Sequence, residues 1–175
     1  MARYEIYADE AWTHGGTPAT RYFCFYGGII GLTPALDRLD AELRKITAAH
    51  GANGEAKWSN LSTKSEPYFR ELVQCLCRHL SAGGVRYRQL FCDRAIVRER
   101  RADEVVASDL DVQFKLCYQF LKHAFGLKFL PPAGAGQKHE ILIRLDTHSS
   151  QRHKTDLADF AQDIPRALGR SGALT

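Results

Sequence analysis

No run of the sequence approaches the roughly 18 unbroken apolar residues that a membrane-spanning helix needs, which argues against a membrane protein. No N-terminal basic-plus-apolar stretch resembles a signal peptide either: Tyr4 to Ala8 already alternates like a strand, and Asp9 and Glu10 follow at once. A cytoplasmic location is the resulting expectation. No glycine-rich G-x-G-x-x-G turn follows the first strand, so the signature of a dinucleotide-binding fold is absent. Histidine and cysteine do not fall at zinc-finger spacing. Cys75 and Cys77, two apart on a predicted helix, point to nearly opposite sides and cannot chelate one ion together, so zinc is not expected. Five cysteines, an odd number at positions 24, 75, 77, 92 and 117, fit reduced thiols better than a disulfide framework. Excess charge of one sign is scarce too. A formal net charge of +4 permits contact with phosphate but falls short of the strongly basic balance that marks nucleic-acid binding.

What is present suits one globular domain. A chain of 175 residues buries enough surface to fold without disulfides or a structural metal. Arg3 to Asp9 alternates with the period of a strand, Asp9 standing at its end. Gly15, Gly16 and Pro18 form a turn, and Tyr22 to Ile30, apolar on both faces, reads as a central strand antiparallel to the first. Thr33-Pro34 gives an N-cap and first helical proline for a helix that ends near Gly51. Glu55 to Ser59 emerges from a glycine-flanked loop as a short extended piece. A second helix starts around Ser65 and directs Phe69, Leu72, Val73, Leu76 and Leu80 inward, and Gly83-Gly84 stops it.

Val85 to Cys92 reads as a strand with Val85, Tyr87 and Phe91 on one face and Arg86 and Arg88 on the other. Asp109 to Phe125 is predicted as a largely buried helix, and Cys24, Cys92 and Cys117 as core thiols. His139 to Leu145 is the last strand, with Asp146 at its C-terminal end. Thr155 to Leu168 is a closing amphipathic helix. This order predicts an α/β fold: a mixed sheet, with an early antiparallel hairpin and a later parallel strand, and helices packed over it.

Three acids stand where such an architecture leaves functional groups: Asp9 and Asp146 at strand ends, and Glu55 in its loop. If the first and last strands are parallel neighbours, the two aspartates converge on one edge of the sheet. Converging carboxylates repel unless a cation or a proton lies between them. Mg²⁺ and Mn²⁺ suit oxygen ligands, and two such ions about 4 Å apart can activate water and stabilise the leaving oxygen of a phosphodiester. Singly, each acid also has an ordinary role as a turn former, cap or surface charge. Glu10 should point away from Asp9, toward an outer or solvent-facing role.

Taken in order, Ile6-Tyr7-Ala8-Asp9-Glu10, the apolar segment ending Gly27-Gly28-Ile29-Ile30, Glu55-Ala56-Lys57 and the apolar strand into Asp146 resemble the family called domain of unknown function 3800. The resemblance spans about Arg3 to Asp146 and implies a ribonuclease H-like fold. It implies further that Asp9, Glu55 and Asp146 are catalytic metal ligands for Mg²⁺ or Mn²⁺, with Lys57 near the substrate phosphate or Glu55. Two departures stand out. Ala11-Trp12 replaces the family's Ser-Gly after Asp-Glu, and the family's fourth acid, carried on a late helix, has no counterpart before Thr175. A fragment is the favoured explanation; the alternatives are that Asp156, Asp159 or Asp163 substitutes, or that the site is incomplete.

His148 and His153 follow Asp146 closely enough to contact phosphate or the attacking water, and His14 stands similarly near Asp9; a polar loop is the ordinary explanation of each. Arg94, Arg98, Arg100 and Arg101 form the densest basic run, which is either a solvated helix face or a phosphate groove extended by Arg86 and Arg88. Trp12 and Trp58 could stack on bases or cover core. The leading expectation is a metal-dependent nuclease with Lys57, His148 and Arg94 at the substrate. The alternatives are a catalytically inactive module of the same fold that binds nucleic acid or a protein, and a phosphatase or phosphodiesterase acting on small molecules.

Overall fold

In the computed structural model, which describes residues 2–12, 23–93, 109–131, 134, 137–145, 159, 161–170 and 174, β1 (Arg3–Trp12) and β2 (Phe23–Leu32) lie side by side. With β3 (Val85–Asp93) and β4 (Glu140–Leu145) they form a four-stranded sheet in the order β3-β2-β1-β4. The sheet is mixed, antiparallel apart from the parallel pair β1 and β4. That parallel register runs from Arg3 opposite Glu140 to Ala8 opposite Leu145. The expected hairpin and later parallel strand are therefore both present. β1 is longer than its alternation indicated: it runs on to Trp12, so Asp9 lies within the strand and not at its end.

Among the described residues the α-helices are α1 (Thr33–Ala49), α2 (Glu66–Ser81) and α3 (Asp109–His123), and residues 161–167 are helical as well. The chain divides into two compact units, Met1–Ile30 with Tyr87–Thr175, and Gly31–Arg86. Among the described residues no helix is long and apolar enough to cross a membrane.

The first unit carries the main core. Ile6 and Ala8 project from β1, and Tyr26 and Ile30 from β2, into a cluster with Cys117, Phe120 and Leu121 of α3 and with Phe125 beyond it. Tyr26 stacks on Phe120 with ring centroids 5.8 Å apart, and Phe125 meets Phe120 edge-on at 5.0 Å. Gly28 is required by this packing. A methyl group there would lie 2.7 Å from the Tyr7 carbonyl oxygen and 2.9 Å from the Phe125 ring. Ile164, from the helical run 161–167, joins the same cluster.

On the other face of β1, Glu5 is only 5% exposed. Arg144 Nε donates to its carboxylate at 3.1 Å, and Tyr7 Oη donates to it at 3.1 Å. A buried carboxylate needs partners of this kind.

In the second unit α1 packs against α2. Leu32, not Thr33, occupies the N-cap of α1, and Pro34 falls in its first turn, where the missing N–H has no helical partner to lose. The buried stripe of α2 also differs from expectation. Tyr68 and Cys75 are its buried residues, whereas Val73 is 56% exposed. The face packed on α1 is thus carried partly by polar groups, which an apolar periodicity does not register.

Among the described side chains of β3, which lies at the edge of the sheet, only Val85 is buried, and Tyr87 and Phe91 are exposed. The segment expected to be extended at Glu55 to Ser59 instead enters a 3-10 turn at Trp58–Asn60. Gly51 and Gly54, both at positive φ, turn the chain between α1 and that segment, a conformation glycine adopts without a Cβ clash.

Candidate functional site

Asp9 is exposed on β1, one residue past the Ala8–Leu145 pair. Its Oδ1 accepts the Glu10 backbone N–H at 2.7 Å. A carboxylate has several acceptor positions, so this bond leaves Oδ2 and a remaining lone pair free in kind to ligate a hard cation. Glu10 is partly covered.

Glu55 belongs to the other unit. Its Oε2 lies 3.0 Å from Lys57 Nζ, and the two side chains are 70% and 59% exposed. The structure therefore joins Glu55 to Lys57 in an exposed ion pair. Trp58 beside them is 77% exposed, so it does not cover core.

Asp146, His148 and Arg94 lie outside the described residues. So do His14, His153 and the arginines at 98, 100 and 101. Arg86 and Arg88 are exposed on β3. Asp159 and Asp163, possible stand-ins for a fourth acid, are exposed, and Asp163 Oδ2 pairs with Arg166 Nη2 at 3.0 Å. Cys117 is a buried free thiol as expected, and Cys75 and Cys77 face opposite ways, one buried and one exposed.

A second constellation sits within the Gly31–Arg86 unit. Glu42 of α1 receives three groups from α2. His79 Nε2 lies 3.2 Å from Glu42 Oε1, Cys75 Sγ lies 3.6 Å from Oε2, and Arg78 Nη2 lies 3.5 Å from Oε2. The hydrogen bond from His79 holds the Glu42 carboxyl below the usual carboxylate range, against a smaller opposing effect of burial. Burial pushes the Cys75 thiol up, and the neighbouring Glu42 carboxylate adds to the shift.

Cys75 and His79 stand four residues apart on α2, and residues at that spacing share a helix face. This is the signal by which the pair could have been found in the sequence. A search by zinc-finger spacing, or by the Cys75–Cys77 pair, passes over it.

No family model, curated protein or solved structure matches this chain.

Proposed function

We propose that this chain is a ribonuclease H-like, Mg²⁺- or Mn²⁺-dependent phosphodiester hydrolase of the cytoplasm acting on nucleic acid. Asp9, Glu55 and Asp146 would hold the metal, and Lys57, His148 and Arg94 would meet the substrate. The observation that carries this reading is the parallel β1–β4 register. Ala8 is paired with Leu145, and the sequence follows these two residues with Asp9 and Asp146. The strand order β3-β2-β1-β4, antiparallel except for β1 with β4, supports the ribonuclease H-like assignment.

The oxygen donors of Asp9 suit a hard cation, and its exposure leaves it accessible to one. When bound, such ions activate water and stabilise the leaving oxygen of a phosphodiester. The role of the chain's own acids is to hold negative charge at fixed positions. Lys57, already drawn to Glu55, would lend positive charge to a substrate phosphate.

Purified protein should cleave single-stranded or hybrid nucleic acid with Mg²⁺ or Mn²⁺. Asp9→Asn should abolish cleavage while its far-ultraviolet circular dichroism stays that of the wild type. Undiminished cleavage by Asp9→Asn would remove the assignment.

A second reading rests on the Glu55–Lys57 ion pair, which leaves this acid neutralised by its neighbour. On that reading the chain is a catalytically inactive module of the same fold that binds nucleic acid or a protein. Binding of the same substrates without cleavage, in wild type and Asp9→Asn alike, would favour it.

A further inference from the structure

We infer that Glu42, Cys75 and His79 form a zinc site between α1 and α2, with a fourth position open to water. The three candidate ligand atoms all lie within 4.8 Å of one another. Tetrahedral zinc, with Zn–S near 2.3 Å and Zn–N or Zn–O near 2.0–2.1 Å, places its ligand atoms roughly 3.3–3.7 Å apart. Cys75 Sγ lies 3.6 Å from one Glu42 carboxylate oxygen, Oε2, and His79 Nε2 lies 3.2 Å from the other, Oε1, so sulfur and imidazole already converge on one carboxylate at close to those separations.

The spacing has a simple origin. Cys75 and His79 are one helical turn apart on α2 and share its face, so one helix supplies a two-ligand claw, and α1 supplies the third ligand.

Donor chemistry selects the metal. A thiolate, an imidazole and a carboxylate suit zinc, whereas Mg²⁺ takes oxygen ligands. Exposure is graded across the cluster. Cys75 is wholly buried, while the His79 and Glu42 side chains are 16% and 45% exposed. The metal would enter, and the open position would face outward, on the Glu42 side. Binding removes the thiol proton to solvent as the Zn–S bond forms. The two anionic ligands then balance the charge of the ion. Arg78, whose side chain is 63% exposed, is free to move into water once the metal takes its place beside Glu42.

Metal-stripped full-length protein, kept reduced, would be titrated with Zn²⁺ alone by calorimetry and with Co²⁺ followed by absorption. The expected result is one ion per chain, buffer-dependent heats that report release of a proton near pH 7, and a thiolate-to-cobalt charge-transfer band. Loss of an outer partner of a metal ligand typically weakens affinity about 10–100-fold, so loss of a ligand itself should weaken it by roughly 100-fold or more. His79→Gln, at a partly exposed position, should show that loss with unchanged circular dichroism. Cys75→Ser should abolish the charge-transfer band. Cys77→Ser, at an exposed position on the same helix, and Asp9→Asn should leave zinc affinity unchanged, the latter separating this site from the proposed oxygen-ligand centre. A charge-transfer band or full affinity that survives in both His79→Gln and Cys75→Ser would overturn the site, as would wild-type protein that takes up less than one ion.

Discussion

Arg144 reaches across the parallel β1–β4 pair to Glu5, its Nε donating to Oε2 at 3.1 Å, so the carboxylate buried on β1 is answered by a cation from the neighbouring strand. Arg144 also lies over the Tyr7 ring, 5.7 Å from its centroid, and Tyr7 itself hydrogen-bonds Glu5. The pair thus ties the strand that carries Asp9 to the strand that Asp146 follows in the sequence. Arg144 is half-exposed and Glu5 is buried, so removing the cation alone is worse than replacing both partners, because the Glu5 carboxylate stays desolvated. Arg144→Met should therefore lower the thermal midpoint by several degrees. Adding Glu5→Gln to it should restore part of the loss, and simple additivity in that double-mutant cycle would show the two residues to be uncoupled.

Gly28 gives a second test of the same region. A Cβ at this position meets the Tyr7 carbonyl and the Phe125 ring at less than 3.0 Å, and neither is the loose end of a flexible side chain. Overpacking of this kind costs about 1–3 kcal/mol. Gly28→Ala should lower the stability measured by urea unfolding by that amount with an unchanged slope against denaturant.

Leu121, wholly buried between β1 and β2 residues and α3 neighbours in the same cluster, tests the core from the other direction. Leu121→Ala should cost about 2–5 kcal/mol, because the cavity adds to the lost burial.

These positions also mark how far the sequence could be read. Period-2 alternation was enough to place β1, and the apolar run to place β2, because burial of Ile6, Ala8, Tyr26 and Ile30 is an apolar matter. The same logic found Cys117, Phe120 and Leu121 on α3. It failed where packing is polar. The burial of Glu5 depends on Arg144, far along the chain, which the alternation of β1 does not reveal. Val73 reads as core, yet α2 turns Cys75 and Tyr68 inward, Tyr68 Oη lying 3.3 Å from Thr47 Oγ1 of α1. Of the candidate site, the sequence offered Asp9, Glu55 and Asp146, and the resemblance added Lys57 near the substrate phosphate or Glu55. The Glu42–His79 contact joins residues on separate helices, and no local pattern specifies it.

Metal linkage separates an active hydrolase from an inactive module. A ligand that binds only the folded state at ten times its Kd adds about 1.4 kcal/mol of stability. For a chain of this length that corresponds to a rise in thermal midpoint of roughly 3–6 °C. Mg²⁺ or Mn²⁺ at millimolar concentration should produce such a rise in the wild type, and Asp146→Asn should cancel it. A flat response in the wild type would favour the inactive module.

The Cys75 thiol contributes to the pH dependence of the metal-free protein. Burial raises its folded-state value above the ordinary thiol value of about 8.5, so the folded chain keeps a proton that the unfolded chain releases. The contribution is complete below about pH 8.5 and is lost as the pH climbs toward the raised folded value. The slope for this one proton is at most about 1.4 kcal/mol per pH unit. Glu42 acts at the other end with the opposite sign. Its folded-state value is lowered, chiefly by the His79 hydrogen bond, so its contribution is present above the ordinary carboxylate range and fades as the pH falls through the lowered value. With chelator present, Cys75→Ala should lack the part of the alkaline decline that the wild type shows above about pH 8.5, and His79→Gln should soften the acid limb. Urea unfolding at stepped pH reads both limbs. An alkaline limb identical in Cys75→Ala and wild type would mean that the thiol titrates alike in the folded and unfolded chains.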